Sequence, residues 1–264
     1  MKVLYIGDVM AEMGIKAVEH VLHDLRKEEQ IDFVIAQSEN VTDGKGMTVA
    51  DYERLRRAGV DAFSGGNHTP VLAELFPLLD DVAAPVVGPA NMTACPGSGY
   101  KIVRAGDKSV LIVSMLGDIV GKQSDTLMEN PLTSIDKILS IVPPSSYDVS
   151  VVNLHGDFSS EKLIYGYYLD GRVSLVVGDH WHVPTADADI LPKGTAHITD
   201  VGMCGSLDSS LGVKFSSIIP RWRDGIQTRN ELETEGRTQF CAVLADIDEA
   251  KGHARGIKQI RKVW

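Results

Sequence analysis

Lys2-Val3-Leu4-Tyr5-Ile6-Gly7-Asp8 is a short apolar run that stops on an acidic residue, and the same design recurs along the chain. Residues 33–36 lead into Ser38-Glu39-Asn40, residues 62–64 into Gly65-Gly66-Asn67-His68, residues 149–154 into His155-Gly156-Asp157, and residues 173–177 into Gly178-Asp179-His180-Trp181-His182. Runs this short and this rich in Val, Ile, Leu and Phe read as strands, as does 110–115. Residues 18–28, 49–58, 71–79, 133–141 and 160–165 carry helical spacing, and the alternation of the two patterns implies a layered α/β architecture. After Ile190 the chain turns to Gly-punctuated strands, ending in the apolar run 240–247 and a basic tail at 258–262; this half is expected to supply a second sheet. One domain over residues 1–264 is expected, with its core ending near residue 247 and a surface loop at 123–130.

In open α/β sheets ligands bind just beyond the carboxyl ends of the strands, so the polar residues closing these runs are expected to converge on one crevice. Each also has an ordinary explanation. Asp8 suits a helix N-cap, Glu39-Asn40 a solvated loop, Asn67-His68 a turn that tolerates left-handed backbone, and His155 a half-buried, hydrogen-bonded histidine. His180 and His182 are the strongest signal, because residues two apart on an extended segment point to the same side and can reach adjacent metals. The other histidines contrast with them. His20 and His23 lie on a charged helical pattern, His253 sits among Lys251 and Arg255, and His197 reads as a strand residue.

A donor set of carboxylate, amide and imidazole without thiolate suits manganese, iron or another first-row divalent ion better than a structural zinc. Two such ions about 3.5–4 Å apart can share a carboxylate, generate hydroxide near neutral pH, and clamp the attacking and leaving oxygens of a phosphoryl displacement. Glu39 is the candidate bridge.

Composition narrows the alternatives. With 264 residues, 44% of them hydrophobic, the chain can bury a sizeable core. Its three cysteines, Cys95, Cys204 and Cys241, form neither a disulfide framework nor a zinc-binding spacing, which fits a reducing cytoplasm. Neither an export leader nor an apolar run long enough to cross a membrane is visible, so a cytoplasmic location is expected. A formal net charge of −10 argues against an extended grip on duplex nucleic acid, which draws its affinity from Lys and Arg.

In this order the clusters resemble the calcineurin-like metallophosphoesterase superfamily, whose pattern is Gly-Asp, Gly-Asn-His, a strand-terminal His, then Gly-His-x-His. The resemblance to its bacterial YmdB-like branch extends through Gly44-Lys45-Gly46, Pro89-Ala90-Asn91, Ser159-Ser160-Glu161-Lys162, His182-Val183-Pro184-Thr185-Ala186-Asp187, Leu191-Pro192-Lys193-Gly194-Thr195 and Thr199-Asp200-Val201-Gly202-Met203. It implies a four-layer αββα sandwich with two metal ions, described as iron or manganese, and phosphodiesterase activity on cyclic nucleotides, 2′,3′-cyclic and also 3′,5′-cyclic. By the same resemblance Asp8, Glu39 and His182 would hold one metal, and Glu39, Asn67, His155 and His180 the other. Asn40 would lie by the first metal, as a ligand or a substrate contact, and His68 would protonate the leaving alkoxide or steady the phosphate. A phosphomonoesterase or nucleotidase on the same site, and a nucleotide-binding regulator with slow catalysis, are the alternatives; homo-oligomers are common among such enzymes.

The chain departs from the pattern in several places. Asp8-Val9-Met10 lacks the histidine of the wider superfamily, as the branch also does. His155-Gly156-Asp157 stands where the branch has His-Ala-Glu, Gly88 where an arginine is common, and Pro70 where a tryptophan is common. Trp181 replaces a small hydroxyl residue between the paired histidines, and is expected to narrow the site or offer a nucleobase a stacking face.

Overall fold

The structure is a computed structural model that describes residues 1–121 and 124–264. In chain order it contains β1 (Lys2–Ile6), β2 (Asp8–Val9), α1 (Ala11–Glu29), β3 (Phe33–Gln37), α2 (Val49–Ala58), β4 (Ala62–Ser64), α3 (Phe76–Asp80), β5 (Tyr100–Ala105), β6 (Lys108–Leu116), α4 (Pro131–Ile141), β7 (Val149–His155), α5 (Ser159–Leu169), β8 (Leu175–Asp179), β9 (Asp189–Ile190), β10 (Ala196–Ile198), β11 (Met203–Ser206), α6 (Phe215–Asp224), β12 (Thr238–Asp248) and β13 (His253–Val263). Among the described residues no helix is long and apolar enough to cross a membrane.

The strands form a seven-stranded sheet, ordered β2-β11-β12-β1-β3-β4 with β13 on the far edge of β12, and a six-stranded sheet, ordered β5-β6-β7-β8-β10-β9. Period-two alternation sorts their side chains into three cores. Leu4, Ile6, Val34, Ala36, Ala242 and Leu244 face α1 and α2. Val3, Tyr5, Phe33, Ile35, Val243 and Ala245 instead meet Val110, Ile112, Val149, Val151, Leu175 and Val177 across the gap between the sheets. The other faces of β6, β7 and β8, with Leu111, Val113, Val152, Leu154 and Val176, pack on Ile135, Ile138, Tyr165 and Leu169 of α4 and α5. Strands buried on both faces lose the polar/apolar alternation of a half-exposed sheet, which is why they read as unbroken apolar runs. The result is the expected αββα sandwich.

Four expectations need correction. The later strands do not make a second sheet: β11, β12 and β13 complete the first, while residues 100–198 build the second. The basic tail is β13, paired antiparallel with β12 along nearly its whole length, and Trp264 closes the pairing by exchanging backbone hydrogen bonds with Thr238. Its Lys258 and Lys262 face Glu29 and Glu28 at the end of α1, so the charges mark an exposed edge strand. The helix expected at 71–79 is broken into single 3-10 turns, Thr69–Val71 and Ala73–Leu75, followed by α3. Pro70 and Pro77 cannot donate to a continuous helix, and each sits instead at the start of its own short piece. The strand expected at 173–177 runs from Leu175 to Asp179. Gln123 lies outside the described residues; 124–130 is irregular apart from a bridge between Met128 and Met92.

Close backbone approach brings the carboxyl ends of the strands together. Gly7 sits where β1 passes the 202 turn, and a Cβ there would overlap the Gly202 carbonyl oxygen. Gly256, on β13, faces open space. Gly7→Ala should therefore destabilise the protein by at least about 1–3 kcal/mol, and Gly256→Ala should be close to neutral. Urea denaturation midpoints check this; equal midpoints for the two variants would contradict the packing described.

Candidate active site

β1, β3 and β4 run parallel in the first sheet, and β7 and β8 run parallel in the second, with the carboxyl ends of both sets opening on one cleft. Asp8 follows β1, Glu39 and Asn40 follow β3, and Asn67 and His68 follow β4; His155 ends β7, and His180 and His182 follow β8. All of these expected site residues come together. Glu39 is the meeting point: one carboxylate oxygen lies 3.2 Å from His155 Nε2, the other accepts from Asn40 Nδ2 at 2.8 Å and lies 3.2 Å from His68 Nδ1. Asn67 Oδ1 is 3.0 Å from His155 Nε2. On the other flank, Asp8 accepts the His180 backbone N–H at 3.2 Å, and His182 Nε2 lies 3.7 Å from Asp8 and 3.3 Å from Asn40 Nδ2. Gly66 permits this closeness, since a Cβ there would overlap both Glu39 and His155.

The paired histidines reach the site in a way that spacing did not foresee. They do not lie on an extended segment: His180 has φ 107° and His182 φ 62°, both left-handed, on either side of Trp181. The two rings therefore diverge, His180 packing edge-on to His155 at 4.5 Å between centroids and His182 turning toward Asp8 and Asn40. Left-handed backbone at non-glycine residues costs on the order of 1–3 kcal/mol each, and it persists where the surroundings enforce it. Here Asp200 is the enforcer. Its carboxylate accepts the Trp181 N–H at 3.0 Å, the Gly202 N–H at 2.9 Å and the fully buried ammonium of Lys162 at 2.8 Å. Lys162 Nζ also lies 4.1 Å from the centroid of the Trp181 ring, whose Nε1–H donates to the Asp157 carbonyl.

Other members of the site were not among the expected site residues, although Asp157 stood out as a departure from the family pattern. Asp179 lies 2.6 Å from His155 Nδ1, which directs Nε2 toward Glu39. It also accepts from Tyr5 Oη at 2.6 Å and Asn153 Nδ2 at 3.2 Å, so a β1 side chain in the inter-sheet core supports a β8 carboxylate under the site. Asp157 lies 3.4 Å from His180 Nε2. The Gly65 carbonyl collects donors from Gln37, Ser114 and Asn153. Tyr5 and Asn153 are hidden in apolar runs, where alternation gives no chemical cue. Asp179 stood in view, between the strand and the paired histidines.

The electrostatics favour a bound cation. Asp8, Glu39 and Asp179 are buried, and among the described residues their ion-pair partners are histidines, with no Lys or Arg. Burial, reinforced by Asp179, drives the Asp8 carboxyl well above the usual range. For Glu39 burial acts in the same direction, but His155 and His68 outweigh it and hold the carboxyl well below its ordinary value. Burial lowers His155, yet Glu39 and Asp179 raise it well above normal, whereas burial and the neighbouring His180 push His182 down to about 4. Asp8 Oδ1 and His180 Nδ1 are buried without a hydrogen-bond partner among the described residues, which is costly for a polar atom unless something coordinates it. Glu39, His155 and His180 offer donor atoms within 4.8 Å of one another. The residues present thus fit a metal centre.

Three comparisons show the family and the fold. The family model for YmdB-like proteins matches residues 4–260. The chain is 36% identical, over 98% of its length and 96% of the relative's, to a 2′,3′-cyclic-nucleotide 2′-phosphodiesterase of Bacillus subtilis. Among solved structures, a hypothetical protein from Thermus thermophilus superimposes with a TM-score of 0.88 at 37% identity, covering 100% of this chain and 99% of that one. A novel phosphatase from Mycoplasma pneumoniae does so with a TM-score of 0.91 at 29% identity, covering 100% and 93%. With the family model spanning nearly the whole chain, this protein belongs to the YmdB-like family and is a phosphoesterase.

Proposed function

We propose that residues 1–264 form one metallophosphoesterase domain that hydrolyses the phosphodiester bond of small cyclic nucleotides, 2′,3′-cyclic and also 3′,5′-cyclic, at a two-metal centre. The observation that carries this reading is the position of Glu39: one buried carboxylate set between the ends of two sheets, with His155 on one oxygen and Asn40 and His68 on the other. Asp8, Glu39, Asn40 and His182 would hold one ion, and Glu39, Asn67, His155 and His180 the other. Iron or manganese suits this donor set. When bound, such ions supply Lewis acidity toward phosphoryl oxygens and a nucleophile at neutral pH.

The chain's own residues do the rest. Asp179 fixes the tautomer and orientation of His155, as second-layer carboxylates do for metal-binding imidazoles. His68 is held by Glu39 through both its backbone N–H, at 2.9 Å, and Nδ1. Its Nε2 is proposed as the nitrogen that would pass a proton to the departing alkoxide. Asn40, if it is not a ligand, would contact the phosphoryl group from the Asp8 side, and Trp181 narrows the cleft beside it. The identity to the Bacillus subtilis enzyme supports the 2′,3′-cyclic substrate class.

Protein reconstituted with manganese or iron should hydrolyse 2′,3′-cyclic AMP and a generic aryl phosphodiester, and Glu39→Ala should lose both turnover and bound metal. Protein that contains two metals per chain and cleaves only phosphomonoesters would make it a nucleotidase, and protein that binds nucleotides without turnover a regulator. His68→Ala should depress turnover about 10²–10⁴-fold with metal content intact; loss of metal together with activity, read by elemental analysis, would contradict the proton-transfer role.

A further inference from the structure

The cleft above the cluster is lined by two chemically different sets of residues. Glu39, Asn40, His68, His180 and His182 line it together with the apolar Met10, Leu211, Val213, Ile218 and Trp222, and the two sets meet where the Leu211 carbonyl lies 3.2 Å from His182 Nδ1. Its volume of about 680 Å³ falls in the range of sites for whole small molecules and exceeds what a phosphoryl group needs. Trp222 is 88% exposed, although an indole is among the side chains with most to gain from burial.

That exposure is not the fraying of a loose helix. α6 is tied down by Ser217, which is buried, and by Arg221, whose Nε donates to Thr228 Oγ1 and whose Nη2 donates to the Thr228 carbonyl, each at 2.6 Å. Gly225, left-handed, ends the helix one residue after Asp224. Ile218 and Trp222, four residues apart, lie one above the other on the face toward the cleft. Trp181, by contrast, has Lys162 over its ring and its Nε1–H committed to Asp157. It is built into the wall of the cleft.

We propose that Trp222, which lines the cleft with Ile218 and Leu211, is the platform on which the nucleobase of the substrate stacks, with the Asn230 amide of the same cleft to meet the polar edge of the base. The proposal rests on the phosphodiesterase reading above and adds what recognises the part of the substrate that does not react. An aromatic platform accepts any base, since every base has a π-face, so it selects nucleotides over other phosphodiesters more than one base over another.

The test uses the full chain with manganese and compares the parent with Trp222→Ala and Trp222→Phe. Glycerol 1,2-cyclic phosphate carries the same five-membered phosphodiester ring as adenosine 2′,3′-cyclic phosphate but no base. The ratio of kcat/KM for the adenosine compound to that for the glycerol compound should fall about ten-fold or more in Trp222→Ala, mainly through KM, and recover largely in Trp222→Phe. Calorimetric binding of adenosine 2′-monophosphate reads the platform without turnover and should weaken by a similar factor. An unchanged ratio and affinity in Trp222→Ala would overturn the proposal, as would a parent that shows no preference for the adenosine compound and no affinity for the monophosphate. A parent that cleaves neither diester, yet binds the monophosphate through Trp222, would keep the platform and refute the phosphodiesterase reading. A smaller assembly in Trp222→Ala with an unchanged ratio would assign this face to a subunit contact and also overturn the proposal.

Discussion

Carboxylates buried among histidines, with no Lys or Arg beside them among the described residues, are the constraint around which this molecule is arranged. Asp8 and Glu39 from the first sheet and Asp179 from the second are withdrawn from water at one edge of the sandwich, facing histidines but no Lys or Arg among the described residues. Burying an ionised carboxylate is expensive unless it is paired or coordinates a metal. Within this cluster burial drives the Asp8 carboxyl up, whereas His155 and His68 outweigh burial and hold Glu39 down.

Much of the surrounding architecture maintains that arrangement. The two sheets are joined beneath the site by polar side chains in an otherwise apolar interface, with Tyr5 bonded to Asp179 and Ser64, and the Gly65 carbonyl receiving three side-chain donors. Buried networks of this kind favour one geometry, and here the one side-chain atom that lacks a hydrogen-bond partner among the described residues is Oδ1 of Asn153, itself one of those three donors. The Lys162–Asp200 pair does the same for the paired histidines, because the oxygen that accepts Lys162 also accepts the Trp181 backbone N–H. Several stretches that read as motifs are here turn-makers. Asn91 ties the end of β6 to Glu129, Thr69 accepts the Gly66 N–H, and Thr185 and Asp200 exchange backbone and hydroxyl bonds.

How much of this was legible follows from what kind of signal each part leaves. Strands buried on both faces announce themselves as apolar runs, and a polar residue at the end of each run marked the cleft, so β1, β3, β4, β7 and their terminal residues could be placed. Residues 71–79 had helical spacing, but Pro70 and Pro77 overrode it locally. β13 read as a basic tail because an exposed edge strand carries charge, and only its pairing with β12 reveals its place. β12 lies between β1 and β13, a long-range pairing to which spacing is blind, so the later strands were assigned to the wrong sheet. The support from Tyr5 and Asn153 was hidden for a related reason: a hydroxyl or amide inside an apolar strand looks like core until its partner is known. Trp222 belongs to α6, a helix with a proline inside it and an apolar face in water, and no sequence pattern links it to a cleft formed by strands far away in the chain.

The central claim, that two metal ions share Glu39 between the ends of the two sheets, is tested most directly by anomalous scattering from crystals grown with manganese. Two strong anomalous peaks on either side of the Glu39 carboxylate, one by Asp8 and His182 and the other by His155 and His180, are the predicted result. A map with no peak there, or with a single ion remote from Glu39, would contradict the account.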